Sequence, residues 1–171
     1  NEDLFKKITV IPDGKSHGLV FILDWSGSMQ YVIEDTLKQL YNLIWFCKKV
    51  NIPFDVYAFT MDYPLWIDDG NGVRHSVYDK KNRSLQLCDN FSLMHFFTSK
   101  VNNKTLEEQL LNIYRIAHAF TRPTYYQVPL GMRLSGTPLN DTLIALHQLL
   151  PIFKSEHKLQ KVQCVILTDG E

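Results

Sequence analysis

The run Gly18-Leu19-Val20-Phe21-Ile22-Leu23 constrains this chain most, because neither alternate set of its positions carries a polar side chain. A strand covered on one face alternates apolar and polar residues, whereas a continuous apolar run belongs to a strand buried on both faces, as at the centre of a parallel sheet. The run ends in Asp24-Trp25-Ser26-Gly27-Ser28, and the period then changes. Ile33, Leu37, Leu40, Ile44 and Cys47 recur at spacings of four and three, while Glu34, Asp35, Lys38 and Lys48 fall largely off that stripe. The spacing predicts a helix over about 29–50, stopped by Asn51-Ile52-Pro53 and followed by a strand over 54–60. Strand, crossover helix and strand predict an α/β fold with a mainly parallel central sheet and a right-handed crossover.

Downstream, Asp69-Gly70 and Asn71-Gly72 are turn signals between β-like stretches near 65–67 and 73–78, which predicts a hairpin or sheet edge. Residues 93–99 read as a short helix, and Leu106, Leu110, Ile113, Ala117 and Phe120 as the buried stripe of a longer one. An irregular loop over 121–135 carries Arg122, Tyr125, Tyr126 and Arg133, residue types favoured in binding hot spots. A third helix is expected from Pro138, with Leu139, Leu143, Leu146, Leu150 and Phe153 on one face and Pro151 in its last turn. A strand over 162–168 follows. The whole of 1–171 reads as one domain, with a hairpin and helical insertion at about 61–135 and a C-terminal truncation soon after the last strand.

With 18 basic and 18 acidic residues the formal charge is zero, so no overall field draws the chain to nucleic acid or an anionic membrane. No apolar run approaches the roughly 20 residues that span a bilayer. Cys47, Cys88 and Cys164 are odd in number and lack CxxC spacing, which predicts buried free thiols and a reducing, cytoplasmic setting. Asn-x-Ser/Thr triplets such as Asn103-Lys104-Thr105 would matter only in a secreted protein. The basic run Lys80-Lys81-Asn82-Arg83 reads as a solvated hairpin edge.

Three segments bring chemistry to the carboxyl ends of the predicted strands, where open α/β sheets bind ligands. They are Asp24-Trp25-Ser26-Gly27-Ser28, Gly136-Thr137-Pro138-Leu139 and Leu167-Thr168-Asp169-Gly170. Asp-x-Ser-x-Ser, then a threonine, then a strand-ending aspartate resembles the von Willebrand factor A (VWA) domain with its metal-ion-dependent adhesion site, MIDAS. The resemblance implies a Rossmann-like three-layer sandwich and a metal site at Asp24, Ser26, Ser28, Thr137 and Asp169. In such a site the three hydroxyls contact the metal, the carboxylates act directly or through water, and a partner protein's acidic residue takes the open position. Two carboxylates and three hydroxyls are all hard oxygen donors, which select Mg²⁺, with Mn²⁺ and Ca²⁺ as alternatives. The chain's general character looks most like intracellular VWA proteins that work beside MoxR-type AAA+ ATPases, including cobalt and magnesium chelatase subunits and phage-encoded relatives. An extracellular adhesion module and a metal-dependent hydrolase are the competing expectations.

Plainer roles exist for each residue. Ser28 could cap the first helix and Thr137 the third, and Asp24 or Asp169 could accept loop N–H bonds at strand ends. Ser26 sits at a strand-to-helix turn, yet Asp24-Trp25-Ser26-Gly27-Ser28 lacks the first glycine of a nucleophile elbow and no histidine is placed to activate it. Phosphate binding at this turn lacks a P-loop sequence.

Overall fold

A computed structural model describes residues 16–62, 66–68, 74–76, 82–83, 85, 87–88, 90–122 and 127–169. Strand β1 (His17–Asp24) leads through a single 3₁₀ turn (Ser28–Tyr31) into helix α1 (Ile33–Lys49). Strand β2 (Phe54–Thr60) follows, then the short strands β3 (Trp66–Asp68) and β4 (Arg74–Ser76). Next come β5 (Ser92–Thr98), α2 (Asn103–Thr121), α3 (Leu139–Glu156) and β6 (Lys161–Leu167). The main sheet has the order β5-β2-β1-β6, and β3 pairs antiparallel with β4 as a separate ribbon. β1 is parallel to both its neighbours, with Leu19 opposite Phe54 and Leu23 opposite Leu167, as its all-apolar sequence requires.

Helices cover both faces of this sheet, an arrangement compatible with a Rossmann-like fold. Phe21 and Leu23 of β1 face α1 and α2, whose Leu37, Leu40, Ile44, Leu106, Leu110 and Ala117 fill the larger core. Val20 and Ile22 face the other way, onto Leu146 and Phe153 of α3. In α3, Leu139, Leu146, Leu150 and Phe153 of the expected face pack in the second core, while Leu143 is 48% exposed and Thr142 is buried. Pro151 lies inside the helix, three residues before its last turn ends in Lys154 to Glu156. Gly18 is where β1 passes closest to α3. A Cβ there would meet the side chains of Leu159 and Phe153, the latter at 2.8 Å.

Two expectations are corrected. Residues 93–99 form no helix: β5 occupies them and pairs antiparallel with β2 at the sheet edge. The reason is a bulge at Val56/Tyr57, where Val56 faces Phe97 and Tyr57 faces His95, leaving Phe96 as an extra residue. Phe96 and Phe97 therefore both enter the larger core, and the extra residue erases the period-two signal that marks a strand. The thiols are not all buried either. Cys47 is buried, Cys88 is half-buried, and Cys164 is exposed on edge strand β6. The turn signals at 69–72, most of the basic run and Tyr125 and Tyr126 lie outside the described residues; Asn82 and Arg83 form an exposed turn. Within the interval 61–135, β5 completes the main sheet and α2 packs in the larger core.

The two helices on the larger core are tied together by polar contacts. The Tyr41 hydroxyl donates to the Leu110 carbonyl at 2.6 Å, and Glu34 of α1 receives Thr121 at 2.6 Å, His118 at 3.0 Å and Tyr114 at 3.2 Å from α2. The Thr121 hydroxyl above all, then His118 and Tyr114, holds the Glu34 carboxyl below its ordinary value of 4.5 against the opposing effect of burial. A depressed folded-state pKa gives stability that is present above pH 4.5 and lost as pH falls through the lower folded value. Glu34→Gln should therefore flatten the acid limb of the stability profile, measured as urea midpoints from neutrality down to about pH 3. Parallel acid limbs for the variant and the parent would refute this assignment.

Candidate metal centre

The chain leaves β1 for β2 on one side by way of α1 and arrives at β6 on the other side by way of α3, which lies on the opposite face. Winding direction thus reverses at β1. The carboxyl ends of β1 and β6 border a topological switch point, the crevice in which open α/β sheets hold ligands.

Asp24 closes β1 at this point and is fully buried. One carboxylate oxygen accepts the backbone N–H of Ser26 at 2.9 Å, and the other accepts the Thr168 hydroxyl at 2.8 Å. The hydroxyls of Ser26 and Ser28 lie 3.0 Å apart. Among the described residues no lysine, arginine or histidine forms an ion pair with Asp24. Burying a carboxylate costs several kcal/mol unless charge and hydrogen bonds compensate it. Two neutral donors meet only part of that requirement, so the site is suited to a cation.

Trp25 locks the loop in place. Its ring is fully buried, its indole N–H donates to the Met132 carbonyl at 2.8 Å, and it meets Phe96 and Phe120 edge-on at 5.1 and 5.7 Å. Its backbone N–H donates to Phe59 at 2.9 Å, continuing the β1–β2 ladder beyond the strands. Ser26 then bridges Ser135 in parallel, with the Gly27 N–H donating to the Ser135 carbonyl at 2.7 Å. Segment 132–135 is bound equally to the end of β2: Thr60 donates to the Arg133 carbonyl at 3.2 Å, and the Arg133 N–H donates to Asp62 at 2.9 Å. Thr137 follows Ser135, which is held to this loop, by two residues.

The capping roles that compete for Ser28 and Thr137 are not the ones adopted. Gly27 is the N-cap of the 3₁₀ turn and Pro138 that of α3, and neither helix start has a side-chain cap bond. The Thr142 hydroxyl instead donates to the Pro138 carbonyl at 2.9 Å. Thr137 and Asp169 are exposed, and among the described residues neither side chain hydrogen-bonds to Asp24, Ser26 or Ser28. Asp24, Ser26 and Ser28 are therefore drawn together directly, while Thr137 and Asp169 stand on adjoining segments. Asp24 does accept a loop N–H, the plainer role open to it, alongside the bond from Thr168.

Thr168 was not among the expected site residues, although the β1–β6 register pairs Leu23 with Leu167 and so sets Asp24 beside Thr168. The hydroxyl immediately before Asp169 was its sequence signal. Asp62 had none, because its role depends on how β2 ends, whereas Arg133 of the 132–135 segment belongs to the loop whose residue types mark it for binding. No described histidine contacts Ser26: His95 lies 3.5 Å from Asp55, and His118 binds Glu34.

Comparison with protein-family models, curated proteins and solved structures gives no match. Chemistry alone characterises the site. No three of His, Cys, Asp and Glu converge as a metal cluster among the described residues. The candidate set holds two carboxylates, so any coordination rests on hydroxyls and water as well. That donor set fits Mg²⁺, which retains several waters and needs few protein ligands, and it does not fit a soft metal.

Because Thr137 caps nothing and is exposed, Thr137→Ala should change folding stability by less than about 0.5 kcal/mol. Trp25→Ala, which empties a core position and strips Met132 of its donor, should cost about 3–5 kcal/mol. Guanidinium denaturation of both variants measures the contrast, and similar losses in the two would show that Thr137 is structural.

Proposed function

We propose that this chain is a metal-ion-dependent protein-binding domain of VWA type, with a MIDAS at Asp24, Ser26, Ser28, Thr137 and Asp169. The observation that carries the reading is the Asp24 carboxylate, fully buried at the sheet's switch point beneath two adjacent hydroxyls and without a basic partner among the described residues. Bound Mg²⁺ would supply the missing positive charge and a coordination position for an acidic residue of the partner. Ser26, Ser28 and Thr137 would be the direct protein ligands. Asp24, whose two oxygens already hold Ser26 and Thr168, orients the loop and supplies negative charge beneath it. Asp169, exposed on the adjoining strand end, would act through water.

An odd number of cysteines without CxxC spacing favours a reducing compartment, and no helix among the described residues is long and apolar enough to cross a membrane. The cysteine usage suits an intracellular adaptor, and a MoxR-type AAA+ ATPase is the partner class we favour.

Calorimetric Mg²⁺ titration tests the reading. Asp24→Ala should weaken Mg²⁺ binding by about 10- to 100-fold, the scale seen when groups supporting metal ligands are removed. Thr137→Ala should act in the same direction, whereas Thr137→Ser, which keeps the hydroxyl, should bind like the parent. Proteins captured from a lysate in Mg²⁺ should be released by EDTA. Unchanged Mg²⁺ affinity in both alanine variants would sink the site, and capture that survives EDTA would sink the bridging role.

A further inference from the structure

A cleft of about 640 Å³ opens directly beside the Asp24 loop, bordered by Gly27 and Gln30 on one side and by Phe120, Arg133 and Leu134 on the other. Gln30 donates to the Phe120 carbonyl at 2.9 Å, tying the 3₁₀ turn to the end of α2. A second depression, lined by Arg115, Ile116, Ala119 and Pro129, shares Gln127 and Val128 with the first. The two form one groove that begins one residue from the Ser26 and Ser28 hydroxyls and follows α2. Its length along α2 from Asn112 to Ala119 is about 10 Å, at 1.5 Å per helical residue, which matches roughly three residues of extended chain.

The charge of this groove departs from that of the molecule as a whole. The chain is neutral, yet among the described residues the charged side chains lining the two depressions are Arg133 and Arg115, with no aspartate or glutamate. Both arginines are exposed, and neither guanidinium has a carboxylate partner among the described residues. Arg115 reaches only the amide of its own helical neighbour Asn112, at 3.5 Å. The same linings also hold the apolar side chains of Phe120, Val128, Leu134 and Ile116. An arginine fork suits a carboxylate by bidentate hydrogen bonding, and unpaired arginines over an apolar floor select an acidic segment that also carries an apolar residue.

We infer that this groove seats an extended acidic segment of the protein partner. One carboxylate of the segment reaches the metal, a following apolar side chain lies against Phe120 and Leu134, and a further carboxylate pairs with Arg133 or Arg115. The inference rests on the metal-site reading for the first of these contacts and on the groove itself for the other two. Arg133 and Arg115 are then specificity-determining residues.

The probe is a library of random heptapeptides with one fixed central aspartate, selected on the chain in Mg²⁺ and on its Arg133→Glu and Arg115→Glu variants. Circular-dichroism melts verify folding. Selection on the parent should enrich additional Asp or Glu together with apolar residues, and the enriched peptides should bind each reversed-charge variant at least about tenfold more weakly, since like charges oppose docking. Mg²⁺ affinity of these variants should be equal to the parent's or tighter, because a cation beside the site has been removed. Acidic enrichment that is identical on the parent and both variants overturns the groove, and EDTA release of those same peptides would leave the metal reading standing. Binding that depends on Arg133 and Arg115 but is indifferent to EDTA upholds the groove and overturns the metal reading. Selection with no acidic enrichment on the parent overturns the inference.

Discussion

The pairing of β1 with a parallel strand on each side, under helices on both faces, is the constraint from which the rest of the structure follows. A strand so enclosed can carry no polar side chain until it ends, and β1 stays apolar from Leu19 to Leu23. Parallel neighbours require crossovers, and α1 and α3 make them on opposite faces. Polar chemistry is thereby concentrated at the strand's carboxyl end, where Asp24 is buried yet surrounded by loops.

Those loops are held by main-chain and side-chain bonds together. Ser26 pairs with Ser135, Gly27 donates to it, and Arg133 and Ser135 are fixed in turn to Asp62 and Met61 at the end of β2. The Ser26 and Ser28 hydroxyls meet each other at 3.0 Å, and neither they nor the Thr137 hydroxyl caps a helix. A hydroxyl that neither caps a helix nor closes a turn remains available to a ligand, and this distinguishes the site from an ordinary set of strand-end turns.

Much of this was legible in the sequence wherever one period persisted. The β1 run, the α1 stripe through Cys47 and the α2 stripe through Ala117 each predicted their element, and the parallel order of β1, β2 and β6 followed from them. Legibility failed where geometry broke the period. The bulge at Phe96 placed two neighbouring phenylalanines on one side of β5 and made a strand read as a helix. In α3 the leucine spacing located the packed face apart from Leu143, which is exposed while the polar Thr142 is buried. Of the site, Asp24, Ser26 and Ser28 could be grouped from local spacing alone, because they share one loop. Thr168 and Asp62 required knowledge of strand register and of where β2 stops, neither of which is encoded locally.

Trp25 joins two regions that would otherwise be independent. Its neighbours in sequence, Asp24 and Ser26, belong to the site, while its ring is wedged between β5 and the end of α2 and its N–H holds Met132. The loop cannot shift its backbone without levering that ring, and the ring cannot turn without displacing Phe120 and the segment leading to Arg133. Site and groove are thus two ends of one rigid crank. Displacement at either end would be transmitted to the other through a single indole.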